Sequence, residues 1–115
     1  MKAIKINVAT QTVEEVTIGN DYKEIYSLIG NDCRLFCCPV EFPNGDTLYA
    51  DDEALLNENL EGCFLLEGFS YPICGNAIIL GTDGEGESES AKTTVEEILQ
   101  QIIFGNKEVA EQHRV

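Results

Sequence analysis

Short apolar runs of alternating character, broken every few residues by turn formers, recur through the first eighty residues of this chain and restrict it to a sheet-rich fold. Residues 2–8 (KAIKINV) place Ala3, Ile4 and Ile6 among polar neighbours, and residues 12–18 (TVEEVTI) repeat the pattern after the polar Ala9-Thr10-Gln11. Two β-branched, period-two runs so close together predict a hairpin. Residues 34–41 (RLFCCPVE) predict a well-covered strand, in which Pro39 deletes one ladder donor and so marks an edge, a bulge or a strand end. Pro43-Asn44-Gly45-Asp46 predicts a tight turn, and residues 47–50 resume extended character as the second arm of another hairpin. Residues 64–69 and 76–81 are short apolar runs that predict further strands around Tyr71-Pro72.

Helical periodicity is confined to two places. Asn20 or Asp21 offers an N-cap for Tyr22, Ile25, Leu28 and Ile29, with Gly30 as the C′ residue. Near the end, Thr93 as N-cap and Glu96 as its capping-box partner precede an apolar stripe of Val95, Ile98, Leu99, Ile102 and Ile103, which predicts one closing helix stopped by Gly105-Asn106. Residues 51–62 predict an ordered loop or a single helical turn. Residues 83–90 hold no apolar side chain and two glycines, and predict a mobile surface loop. The expected fold class is α+β: a mostly antiparallel sheet with about two helices packed on one face, in the order β-β-α-β-β-(loop)-β-α. One domain over residues 1–105 and a flexible tail over 106–115 follow from the length and the stop signal.

Charge narrows the partners. Between residues 35 and 91 there is no lysine or arginine, while Glu41, Asp46, Asp51, Asp52, Glu53, Glu58, Glu61, Glu67, Asp83, Glu85, Glu87 and Glu89 all fall there, within a formal net charge of -14. Such a field repels nucleic acid and anionic lipid and steers cationic surfaces during encounter. The expectation is a basic protein surface as partner, with no direct nucleic-acid or membrane contact. The first residues alternate instead of forming an apolar signal core, and no run approaches the roughly 18 apolar residues of a membrane span. A cytoplasmic location is expected.

The five cysteines, Cys33, Cys37, Cys38, Cys63 and Cys74, form an odd set without a regular framework, which predicts reduced thiols in place of a disulfide scaffold. Cys33 and Cys37 match a zinc spacing, but on a strand they lie about 13 Å apart, and Cys37 and Cys38 point to opposite faces. Core packing is the expected role, and no metal or cofactor is expected. The only histidine, His113, lies in the tail, so no base accompanies these thiols. Asp51, Asp52 and Glu53, after a predicted strand, are the best carboxylate cluster for sharing an ion or raising one pKa. The acidic loop lacks the register of a calcium loop.

Tyr22, Tyr26, Tyr49, Phe69 and Tyr71 fall near turns or helix surfaces, where tyrosine beside acids suits an interface. The candidate interaction residues are therefore Asp51, Asp52, Glu53, Glu85, Glu87, Glu89 and Tyr49. The loop acids would steer encounter, and the strand-end acids would prolong it.

The layout of Met1-Lys2-Ala3-Ile4, Leu28-Ile29-Gly30, Asp51-Asp52-Glu53 with Leu56-Asn57, and residues 75–81 (GNAIILG) resembles a small family catalogued as a domain of unknown function and frequent in bacteriophages and mobile elements. The resemblance spans nearly the whole chain and is architectural. It departs where the family's Leu-Pro-Pro-Asn-Arg segment gives way to Glu58-Asn59-Leu60-Glu61-Gly62. The family has no established activity, so the resemblance implies a fold and a setting. The leading functional expectation is a non-enzymatic acidic binding protein of phage or mobile-element type that engages a basic host protein, with partial mimicry of DNA. The alternatives are a small-molecule or metal-dependent activity near Asp51, Asp52 and Glu53, or a structural accessory role.

Overall fold

A computed structural model describes residues 1–19, 22–29, 36–51, 62–68, 72–82, 85, 88–106 and 108–109 of the chain. Among these residues nine strands and two short helices follow one another. They are β1 (Lys2–Asn7), β2 (Thr12–Thr17), α1 (Tyr22–Ile29), β3 (Phe36–Glu41), β4 (Thr47–Asp51), β5 (Cys63–Leu66), β6 (Ile73–Cys74), β7 (Ala77–Thr82), β8 (Ser88–Glu89), α2 (Val95–Leu99) and β9 (Ile102–Gly105). Every strand pairing is antiparallel. The larger sheet runs β2-β1-β7-β4-β3 with β8 added to β7, and a smaller sheet runs β6-β5-β9.

The opening hairpin forms as its alternation requires, with Ala3 opposite Val16 and Ile6 opposite Val13. Gln11 closes its turn at φ 55, and the Asn7 side chain accepts from the amides of Ala9 and Thr10 at 3.0 and 3.2 Å. In β3 the register shifts between Cys37 and Val40, and β3 is the edge strand, which suits the missing donor of Pro39. Gly45, at φ 94, supplies the left-handed position of the turn between β3 and β4.

Period two sends alternate residues of the larger sheet into two separate cores. On one face Ile4, Ile6, Leu48, Ala50, Ala77 and Ile79 pack with Phe64 and Leu66 of β5, Ile73 of β6 and Ile98 of α2. On the other face Ala3, Ile78 and Leu80 pack with Ile29 of α1. The central strand β7 is buried on both sides, from Ala77 through Leu80, which explains why NAIILG reads as a continuous apolar run.

This arrangement corrects the expected α+β layer. The helices do not share a face. Helix α1 covers one side of the larger sheet, while α2 and the whole smaller sheet cover the other, so the fold is sheet on sheet with two short helices.

The largest single departure is the closing helix. It spans only Val95–Leu99, and Ile102–Gly105 is a strand paired with β5. The stripe is therefore split: Ile98 is 0 % exposed, whereas Leu99 is 53 % and Ile103 68 % exposed. β-Branched and aromatic residues (Ile102, Ile103, Phe104) favour a pleated strand, and pairing with β5 gives that backbone its partners. The cap also moves by one residue. Thr94 is the N-cap, its Oγ1 accepting from the Glu97 amide at 3.2 Å, while Thr93 is buried and otherwise engaged.

Gly62 and Gly105 permit the close approach at this seam: a Cβ on Gly62 would lie 2.7 Å from the Gly105 carbonyl oxygen, and one on Gly105 would lie 2.7 Å from Cys63 Sγ. In the expected loop of residues 83–90, Ser88 and Glu89 instead form β8 against Thr82 and Gly81. Asn20, Asp21, Gly30, Cys33, residues 52–61 and most of the tail lie outside the described residues. Within the tail, Asn106 Oδ1 accepts from the Val109 amide at 3.0 Å. Among the described residues no helix is long and apolar enough to cross a membrane.

Candidate functional site

The turn between β3 and β4 carries a carboxylate that is fully shielded from solvent. Asp46 is 0 % exposed. Its Oδ2 accepts from the amides of Lys92 and Thr93 at 2.9 and 2.7 Å and from the Thr93 hydroxyl at 2.6 Å, and its Oδ1 accepts from the Lys92 amide at 3.1 Å. Asn44 completes the network, accepting from the Asp46 amide at 2.9 Å and donating from Nδ2 to Thr93 Oγ1 at 3.0 Å. Lys92 Nζ adds a 3.3 Å bond to the Asn44 carbonyl. Hydrogen bonds to a charged acceptor are about twice as strong as neutral ones, so this network clamps the turn onto the residues that lead into α2.

The clamp shapes a groove. The turn contributes Phe42, Pro43 and Asn44 to its lining, and the segment entering α2 and the helix itself contribute Thr93 and Glu97. Glu67, after β5, also lines it, its backbone amide donating to the Gln101 carbonyl at 3.0 Å. The recess measures about 440 Å³. It meets a second recess of about 340 Å³ through the shared residues Glu67 and Gln101, where Leu65, Ile102 and Ile103 supply apolar lining.

Among the described residues, three exposed carboxylates, Glu41, Glu67 and Glu97, line the first recess, and no lysine or arginine lines either recess. Among the described residues no three His, Cys, Asp or Glu side chains are gathered closely enough to hold a metal ion. The groove therefore offers dispersed negative charge beside apolar surface.

Several expected site residues lie elsewhere. Tyr49 sits in β4 opposite Ile78, half-buried and packed against the core beneath α1. Asp51 ends β4 opposite Phe36, while Asp52, Glu53 and Glu87 lie outside the described residues. Glu85 is an exposed turn residue. Glu89 is opposite Gly81 and pairs with Lys92 at 3.8 Å. With Ala50 opposite Ala77 and Glu89 opposite Gly81, Asp51 and Glu89 stand near opposite ends of β7, about 16 Å apart along the strand direction. The structure does not bring them together.

The groove acids Glu67 and Glu97 were not singled out by the sequence. Glu41, Glu67 and Glu97 come from three distant segments, and no local spacing connects them.

A family model described as Domain of unknown function (DUF3846) matches residues 1–103. The chain belongs to DUF3846. The match covers every strand and both helices of the DUF3846 domain up to β9, including all three segments that build the groove. No curated protein and no solved structure matches it.

Proposed function

We propose that this DUF3846 protein is a non-enzymatic acidic binding protein whose groove takes a basic segment of a partner protein. The observation that carries this reading is the lining itself: Glu41, Glu67 and Glu97 beside apolar surface, with no basic residue among the described residues that line it. A segment with lysine or arginine beside an aliphatic side chain complements both features. The net charge of -14 adds long-range attraction for such a segment, over the Debye length of about 10 Å at 0.1 M salt. The resemblance of the sequence to a family frequent in phages and mobile elements supports a cytoplasmic setting with a basic host protein as the partner, engaged in part by mimicry of DNA.

A fluorescent peptide of alternating lysine and leucine serves as probe, with a glutamate and leucine peptide as its counterpart. The basic peptide should bind, and raising salt should slow its association more than it hastens its release. Glu41→Gln, Glu67→Gln and Glu97→Gln together should weaken binding about tenfold, since exposed pairs contribute roughly 0.5 kcal/mol each. Glu14→Gln, Glu15→Gln and Glu108→Gln change the net charge equally at exposed positions outside the groove lining. This control should weaken binding less than about twofold. Equal losses in the two triple variants would show that the acidity acts only as a diffuse, solubilising field.

A further inference from the structure

Cys63 and Cys74 are direct cross-strand neighbours in β5 and β6. The preceding pair fixes their geometry: the Gly75 amide donates to the Gly62 carbonyl at 3.0 Å, making Gly62 and Gly75 a hydrogen-bonded pair. Antiparallel ladders alternate, so Cys63 and Cys74 form a non-hydrogen-bonded pair, with Cα atoms about 4.5 Å apart and side chains at their closest. That separation lies within the range a disulfide spans, roughly 4.4–6.8 Å. The two thiols are already in hydrogen-bond contact, and Cys63 also has a backbone hydrogen bond with Gly105. Both are reduced and buried, at 2 % and 8 % exposure.

We propose that Cys63 and Cys74 are a redox modification site, a thiol pair that a hydroperoxide converts to a reversible cross-strand disulfide. Cys74 is the more exposed residue of the pair and sits on a two-residue edge strand, so local opening exposes it at little cost. The Cys74 thiol gives up its proton, its thiolate attacks one oxygen of hydrogen peroxide, the O–O bond breaks, and the departing hydroxide takes up that proton to leave as water. Cys74 is then a sulfenic acid. The Cys63 sulfur attacks the Cys74 sulfur, the S–S bond forms, the S–O bond breaks, and the second water leaves with the Cys63 proton. The two thiols have given two electrons, and one hydroperoxide group has been reduced. Burial pushes the Cys63 thiol up, with the bonds to Cys74 and Gly105 opposing it, which disfavours Cys63 as the sulfur that meets peroxide first.

Native full-length protein treated with hydrogen peroxide should lose about 2 Da. Residues 35–91 contain no tryptic site, but cleavage after Glu61 and Glu67 puts Cys63 and Cys74 on separate peptides, and Cys33, Cys37 and Cys38 on another ending at Glu41. The Cys63 and Cys74 peptides should travel together until dithiothreitol is added. The oxidised protein should also melt several degrees higher, because the link closes a loop in the unfolded chain, and reduction should restore the original melting temperature. A linkage through Cys33, Cys37 or Cys38, added oxygen on Cys74 without loss of two hydrogens, or an unchanged mass would each overturn the proposal. Binding of the lysine-leucine peptide is a separate readout, and its outcome does not bear on this site.

Discussion

Asp46→Ala should be among the most damaging single substitutions in this chain, lowering stability by about 3–5 kcal/mol. The variant strands two backbone amides, the buried one of Thr93 and the part-buried one of Lys92. Each buried donor left without a partner costs roughly 1–3 kcal/mol, and the Thr93 hydroxyl loses its acceptor as well. At this chain length the loss corresponds to a fall in melting temperature of roughly 10–20 °C. Asp46→Asn should fall between the variant and the native protein. Its carbonyl oxygen can still accept from Thr93, but its amide would face the Lys92 donor. Urea denaturation of the three proteins measures the order directly. If Asp46→Ala unfolds within 1 kcal/mol of the native protein, the clamp is not what holds the turn to α2.

The consequence reaches beyond stability. Asn44 and Thr93 both line the groove and both belong to the Asp46 network. A chain with the clamp weakened should therefore lose peptide affinity before it loses its fold, in the same direction as the Glu41, Glu67 and Glu97 variants.

The parts of this fold that read directly from the sequence are those decided by local chemistry. The opening hairpin, the Pro39 irregularity and the Gly45 turn each follow from residues within a few positions of one another. Asp46 reads only as a turn residue, because its partners Lys92 and Thr93 are remote in sequence and nothing near Asp46 announces them. Glu41, Glu67 and Glu97 escape for the same reason: the sheet pairing of β5 with β9 and the clamp on the turn bring them to one groove. Tyr49 misleads in the other direction. Its acidic neighbours suggest an interface, yet period two along β4 turns it toward the core beneath α1.

The closing segment is the instructive misreading, and it carries the second large prediction. Val95, Ile98, Leu99, Ile102 and Ile103 fit a helical stripe, but Ile102 and Ile103 fit a strand equally well, and spacing alone does not choose between them for so short an apolar run. The choice is made by β5, whose residues 63–66 offer a complete ladder to residues 102–105. A single closing helix would have placed both Ile98 and Leu99 on the sheet and made truncation of either costly. With the helix ending at Leu99, Ile98 enters the core, in one buried cluster with Ile4, Leu48, Phe64 and Ile79, while Leu99 stays exposed. Ile98→Ala should then cost about 2–5 kcal/mol, as for other buried aliphatic truncations, through lost contacts and the cavity left behind. Leu99→Ala, at a position 53 % exposed, should cost less than about 1 kcal/mol. Paired urea titrations read the difference between the two variants, which is less sensitive to the unfolded state than either value alone. Equal losses would mean that residues 95–103 continue as one helix and that β9 does not form. A large gap, with Leu99→Ala close to native, follows only if the chain leaves the helix after Leu99 and turns back along β5.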